Sequence, residues 1–198
     1  MTIVRTDQPA VSLPAADAVT AVAAAESLLS LLGLDHRTEH TRRTAERLVA
    51  SLRDLLTPTP FEATTFPNEQ QHRDLVISRS VPFASLCAHH MLPFVGNATV
   101  GYRPGSRLLG LSKMARVVEM FASRLQVQED MTQQIATWLE TTLPDHGGIG
   151  VVVTAEHLCL TVRGARACGS STVTTAWRGA LAEDAAVRGE FLALAAGR

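Results

Sequence analysis

At 198 residues, with 46% hydrophobic and 19% charged side chains, the chain has the length of one compact domain with a helical appendage and enough apolar material for a core, which excludes wholesale disorder. A formal net charge of -1 excludes a general nucleic-acid binder, which needs a basic excess, so any anion site must be local. No apolar run approaches the ~20 residues of a membrane span, MTIVRTDQPA at the start has no signal-peptide core, and three cysteines point to a reducing compartment, so the cytoplasm is the expected location.

In chain order, Ala15 to Leu34 reads as an alanine-rich helix with Gly33 as its stop, and Thr41 to Leu56 as a second helix ending before Pro58. Pro58, Pro60 and Pro67 punctuate a polar loop that reaches Arg73. The period then changes to two: Leu75 and Ile77 alternate within Asp74 to Ser80, as do Ala98, Val100 and Tyr102. Leu108 to Leu111 reads as the return strand of a hairpin through Pro104-Gly105. Ser112 has the chemistry of a helix N-cap, followed by Met114, Val117, Val118, Phe121 and Leu125 at helical spacing. A further helix carries Met131, Ile135, Trp138, Leu139 and Leu143 on one face. Strands follow at Ile149 to Thr154, Leu158 to Val162 and Ser170 to Ala176, and a last helix at Ala182 to Ala195. Strands on either side of a helical pair, without strict alternation, predict an α+β fold with a mostly antiparallel sheet. The expected organisation is an N-terminal helical region (1–57), a loop (58–73) and a main domain (74–198).

Three groups of residues carry chemistry. Cys87 and His90 have C-x-x-H spacing within SLCAHHMLPF, and Glu156-His157-Leu158-Cys159 offers a second thiolate and imidazole. Cysteine with histidine favours zinc over calcium or magnesium, which prefer oxygen. With Cys87, His90 and Cys159 as ligands, a tetrahedral ion keeps one position for water, as in catalytic sites; with His89 or His157 as a fourth ligand the site is closed and structural. In the open arrangement His89 and His157 are free to move protons, and the natural chemistry is hydrolysis. The H-E-x-x-H pattern of zinc peptidases is absent, as is H-x-E with a later P-C-x-x-C.

The second group is cationic. Ser112, Lys113 and Arg116 stand at a predicted helix start, where free N–H groups favour phosphate, and Arg163 and Arg166 follow Cys159; the alternative for each is a solvated surface cation. The third is Gln128-Glu129, whose carboxylate and amide suit the N–H edge of a guanine; Glu129 alone also reads as a favourable charge at a helix N-terminus.

With these groups in view the chain resembles the GTP cyclohydrolase I family, from about Ala24 to Leu194. The resemblance is carried by CAHHMLPF, LGLSKMARVVEMFASRLQVQEDMTQQIA, GIGVVVTAEHLCLTVRG and GSSTVTTAWRGAL, in the family's order and with matching gaps. It implies a tunnelling fold, whose subunits pool antiparallel sheets into a ring, usually a homodecamer with active sites between subunits. It further implies zinc on Cys87, His90 and Cys159, catalytic roles for His89 and His157, triphosphate binding by Ser112, Lys113, Arg116 and Arg163, and guanine binding by Gln128 and Glu129. The implied reaction is attack of zinc-activated water on carbon 8 of GTP, ring opening, loss of formate, an Amadori-type rearrangement and closure to 7,8-dihydroneopterin triphosphate, in the pterin and folate pathway. One position departs: the family's usual C-E-H-H is here Cys87-Ala88-His89-His90, without the carboxylate. That departure also suits a paralogous zinc hydrolase of the same fold that opens the imidazole ring of a related purine nucleotide, or stops at the ring-opened intermediate. A non-catalytic zinc-bound oligomer is a third reading and requires the closed site. Cys168, where the family more often has proline, matches no functional position and reads as a small buried residue.

Overall fold

The computed structural model describes residues 15–197, in two compact units, 15–57 and 58–197. The opening segment read above for a signal peptide lies outside the described residues. In the first unit α1 (Ala15–Leu31) and α2 (Thr44–Leu56) pack through Ala25, Leu29 and Ala45, with Val22, Leu48 and Val49 around them. Gly33 ends α1 as predicted. Its φ of +74° lets Leu34 N–H reach back to Leu29 O and Gly33 N–H to Ser30 O, the pairing that closes a helix on a left-handed residue.

The second unit runs β1 (Thr65–Pro67), β2 (Val76–Cys87), β3 (Pro93–Arg103), β4 (Arg107–Leu109), α3 (Leu111–Ala122), β5 (Leu125–Gln126), α4 (Gln128–Thr142), β6 (Gly148–His157), α5 (Leu158–Thr161), β7 (Thr172–Gly179), α6 (Ala180–Glu183) and α7 (Ala185–Ala195). The main sheet has the order β5-β2-β3-β6-β7, antiparallel except where β5 runs parallel to β2. Alternation on β6 turns Ile149, Val151 and Val153 inward, all fully buried, against Val117 and Val118 of α3 and Met131, Ile135 and Leu139 of α4 in one core. Phe191 of α7 covers Gly101 and Gly150, and a Cβ on Gly150 would stand 2.7 Å from its ring. This is the α+β arrangement expected of a tunnelling-fold subunit.

Several elements differ from the sequence expectation. The expected loop to Arg73 contains β1, and β4 pairs with β1 rather than returning along β3 (Thr65↔Leu109, Phe66↔Leu108). The Leu109 N–H that a hairpin would use is taken by the buried Tyr102 hydroxyl at 2.7 Å. Strand β2 runs seven residues past Ser80 to Cys87, across an irregularity between Ser78 and Val81 where Ser80 has φ +53°. Ser112 is not the cap of α3: Gly110 holds that place and accepts from Lys113 N–H, and Ser112 is exposed in the first turn. Leu158–Thr161 is a helical turn, not a strand. The last helix is broken at Asp184, whose carboxylate caps α7 by accepting from Ala186 N–H at 2.7 Å. Cys168 is exposed rather than buried, in the loop after α5, with its thiol 3.5 Å from Thr161 O.

His146, between α4 and β6, has Nδ1 buried without a hydrogen-bond partner among the described residues. Burial holds its pKa below the ordinary 6.5, against the opposing charges of Glu140 and Asp145, while Arg178 lowers it further. The unfolded chain therefore binds more protons between the folded pKa and 6.5, and stability rises with pH through that window. Melting temperature is expected to fall as the pH is lowered from about 7 to 5, and to fall less in His146→Gln. Parallel curves for the two proteins would refute the assignment.

Candidate active site

The stretch SLCAHHMLPF is the turn of the β2–β3 hairpin. Cys87 N–H donates to Leu92 O at 2.9 Å and Met91 N–H to Cys87 O at 2.8 Å, and Met91 takes φ +52° to close the turn. Ala88 N–H donates to Gln126 O, so the short parallel ladder with β5 pins the tip. Cys87 is buried beneath the turn, whereas Ala88, His89 and His90 are exposed on it. Cys159 reaches the same place from α5, which begins directly after the last residue of β6. Phe94 is paired with His157 across β3 and β6, and this register sets the start of α5 against the hairpin tip.

The ligand atoms of Cys87, His90 and Cys159 all lie within 4.8 Å of one another, and the two sulfurs are 4.0 Å apart. Zinc with Zn–S bonds of about 2.3 Å in tetrahedral geometry separates two sulfurs by about 3.8 Å, so the donor set and its spacing fit the ion. Burial, then the hydrogen bond and charge of the neighbouring Cys87, push the Cys159 thiol up. His89 stands beside the cluster, its Nδ1 3.9 Å from the Cys87 sulfur.

His157 is held on two sides. Its ring stacks on fully buried Phe94, with centroids 4.7 Å apart and planes 1° from parallel, and its Nε2 is 2.7 Å from Gln128 Oε1. Burial lowers its pKa, opposed by the charge of Glu129. Gln128, only 1% exposed, opens α4 with its side chain turned inward, while Glu129 beside it is exposed. Arg163 and Arg166 are exposed in the turn that follows α5.

The remaining predicted residues are elsewhere. Ser112, Lys113 and Arg116 occupy the first turns of α3, whereas it is the far end of that helix that leads through Arg124 into β5 and the hairpin tip. Along the helix axis Ser112 stands about 15 Å and Arg116 about 9 Å before Ala122, at about 1.5 Å per residue. Lys113 Nζ lies 5.8 Å over the Phe61 ring. Within one chain the structure thus gathers Cys87, His89, His90, Gln128, Glu129, His157, Cys159 and Arg163 at one end of the sheet and leaves Ser112, Lys113 and Arg116 toward the other. Sequence reasoning missed Phe94 as the platform for His157, and Thr132 and Thr174 behind Gln128. Their only signal is cross-strand register, which local pattern does not carry.

The sequence model of GTP cyclohydrolase I matches residues 21–196. A GTP cyclohydrolase 1 of Synechococcus sp. is 45% identical over 177 residues, 87% of this chain and 77% of the relative. That of Mycolicibacterium gilvum is 42% identical over 186 residues, 91% of this chain and 92% of the relative, and that of Aquifex aeolicus 39% over 166 residues, 84% and 90%. Among solved structures, the apo archaeosine synthase QueF-Like is similar at a TM-score of 0.41 and 14% identity, over 55% of this chain and 94% of that one. With the family model matched across nearly the whole of its length and relatives 39–45% identical, the chain belongs to the GTP cyclohydrolase I family.

Proposed function

We propose that this protein is a zinc-dependent GTP cyclohydrolase that converts GTP to 7,8-dihydroneopterin triphosphate and formate, the entry step of pterin and folate synthesis. The observation that carries the reading is the Cys87, His90 and Cys159 cluster, with His89 and His157 left beside it as imidazoles. These three residues would hold zinc, which supplies when bound a Lewis acid and a water acidic enough to react at neutral pH. His89 and His157 move protons on and off the purine nitrogens as the five-membered ring opens. Glu129, exposed in the first turn of α4, accepts two N–H bonds from the guanine edge, with Gln128 adjoining it. Arg163 faces the triphosphate from the metal end.

Ser112, Lys113 and Arg116 complete the triphosphate site only from a second subunit, because α3 holds them away from the metal of their own chain. The protein therefore works as a homo-oligomer with shared sites, a decamer in the family's usual arrangement. Among the described strands β7 pairs only with β6, which leaves an edge for a neighbouring sheet. Among the described residues no helix is long and apolar enough to cross a membrane, in keeping with a cytoplasmic enzyme.

A second reading rests on Ala88, an exposed residue of the hairpin turn where the family usually carries glutamate. On that reading the site acts on a related purine nucleotide or stops after ring opening. One assay separates the two: the zinc-loaded protein is incubated with GTP while formate and the fluorescence of oxidised neopterin are followed together. Both products are expected. Formate without neopterin would transfer the protein to the second reading, with Ala88→Glu expected to restore neopterin; neither product from GTP would sink the first.

A further inference from the structure

We propose that Gln128 is a positioning residue that locks the His157 imidazole in its Nε2-protonated tautomer, leaving Nδ1 as the one nitrogen with a free lone pair. The argument starts from the amide. Gln128 Nε2 lies 3.1 Å from three oxygens, the carbonyls of Val153 and Thr172 and the hydroxyl of Thr174. Two of these are carbonyls, which only accept, so the atom facing them must be the NH2 group and the oxygen must face His157. An amide oxygen also only accepts. At 2.7 Å from it, His157 Nε2 must therefore carry the hydrogen.

The hydroxyls extend the same logic and close a ring. Thr132 Oγ1 lies 2.7 Å from the Gln128 backbone carbonyl, which can only accept, so the Thr132 hydrogen is spent there. Thr174 Oγ1, 2.6 Å from Thr132 Oγ1, must then be the donor of that pair, which leaves it free to accept from Gln128 Nε2. The chain runs one way: His157 Nε2–H to the Gln128 amide, the amide to Thr174, Thr174 to Thr132, and Thr132 back to the main chain of Gln128. The imidazole N–H and both hydroxyl hydrogens each have one direction in which they can point, while the two amide hydrogens are shared among three acceptors, and such a chain polarises its members. Flipping the amide would set an oxygen against two carbonyls and break the ring. Turning the imidazole over about Cβ–Cγ would set a carbon, Cε1, where Nε2 now meets the amide, so Nδ1 cannot take its place; the Phe94 ring stacked on His157 holds the plane in which Nε2 reaches Gln128.

Two consequences follow for the reaction. His157 meets the substrate with a defined nitrogen, which in its neutral form accepts a proton without a prior tautomer change. Gln128 also has no N–H to spare for a ligand, since its two hydrogens already serve three acceptors; reading of the guanine edge falls to Glu129.

The catalytic half of this inference rests on the proposed GTP reaction, whereas the tautomer does not, and the tests are divided accordingly. On the full-length zinc-loaded protein with 15N-labelled histidine at pH 8, the resonance that disappears in His157→Asn is expected to show a protonated Nε2 and a bare Nδ1. The opposite pattern overturns the proposal whether or not the protein turns over GTP. In Gln128→Met the turnover number is expected to fall about 100-fold, the lower end of what a positioned acid–base group supplies, with KM close to the native value. A raised KM with turnover kept would make Gln128 a guanine reader and refute the positioning role. Thr174→Val leaves the Gln128 carbonyl bonds in place, so it serves even if Gln128→Met does not fold. It is expected to lower turnover about five-fold, the scale of one neutral hydrogen bond, with recovery in Thr174→Ser. Native turnover in Thr174→Val counts against the proposal.

Discussion

If Cys87, His90 and Cys159 hold zinc as proposed, Cys159→Ser is expected to bind little zinc and to lower formate release from GTP by at least about 100-fold, since even outer-shell partners of a metal cost 10- to 100-fold when removed. The cluster joins a hairpin turn to a helical turn 72 residues further along the chain, and only Cys159 is supplied by the second. A serine oxygen stays protonated at neutral pH and is a poor donor for zinc, so two ligands from the hairpin remain and neither the charge nor the geometry of the site survives. Metal content by atomic emission and formate release are measured on the same preparation, with far-ultraviolet circular dichroism to verify the fold. Cys168→Ser is the matched control. Cys168 is an exposed residue whose sulfur lies 3.5 Å from Thr161 O, outside the cluster, so zinc and turnover should remain at native levels. A Cys159→Ser protein with full zinc and full turnover would remove Cys159 from the ligand set.

How much of this was visible in the sequence depends on the range over which each signal acts. Helices α3 and α4 were legible because Met114, Val117 and Val118, and Met131, Ile135 and Leu139, recur at helical spacing and are the residues that become buried. Strand β6 was legible through Ile149, Val151 and Val153. The later half of β2 and the start of β3 were not. Ser78, Arg79 and Ser80 interrupt the alternation at the bulge, and Pro93 and Gly96 read as breakers although the sheet accommodates both. Gly96 lies so close to the Thr154 backbone that a Cβ would collide with its carbonyl, a fact of β3–β6 approach and not of local propensity. The pairing of β4 with β1 spans about forty residues, and the helical turn at Leu158–Thr161 overrides an apolar run with strand propensity.

The site divides in the same way. Residue type and spacing mark Cys87, His90 and Cys159 as metal-capable while leaving His89 and His157 open as a further ligand, the family resemblance singles out the three, and the structure brings them together. The ring through Gln128, Thr174 and Thr132 depends on Val153 standing opposite Thr174 and on α4 beginning at residue 128. No short pattern encodes either condition. Ser112, Lys113 and Arg116 at the start of α3 are expected from sequence to form an anion-binding group, but their place away from the Cys87, His90 and Cys159 cluster follows only from the direction in which α3 runs toward β5.

Phe94 is where core and site are the same residue, and Phe94→Ala is expected to be the most destabilising single change at the site. The side chain is fully buried, meets Phe83 edge-on with centroids 5.8 Å apart and lies flat against His157. Truncation of a buried phenylalanine removes its transfer free energy and leaves a cavity, at a combined cost of about 3–5 kcal/mol. Against a total stability of about 5–15 kcal/mol for a domain, that loss should show as a large drop in the denaturant midpoint with an unchanged slope. The effect on the site follows from the same geometry. With the platform gone, the imidazole is held only by Gln128, so turnover should fall even under conditions where the variant is fully folded. Phe94→Leu separates the two effects, because leucine refills most of the volume and restores most of the stability without offering a flat face to the ring. A Phe94→Leu protein that recovered turnover as fully as stability would show that His157 needs a filled core beneath it and no stacked ring.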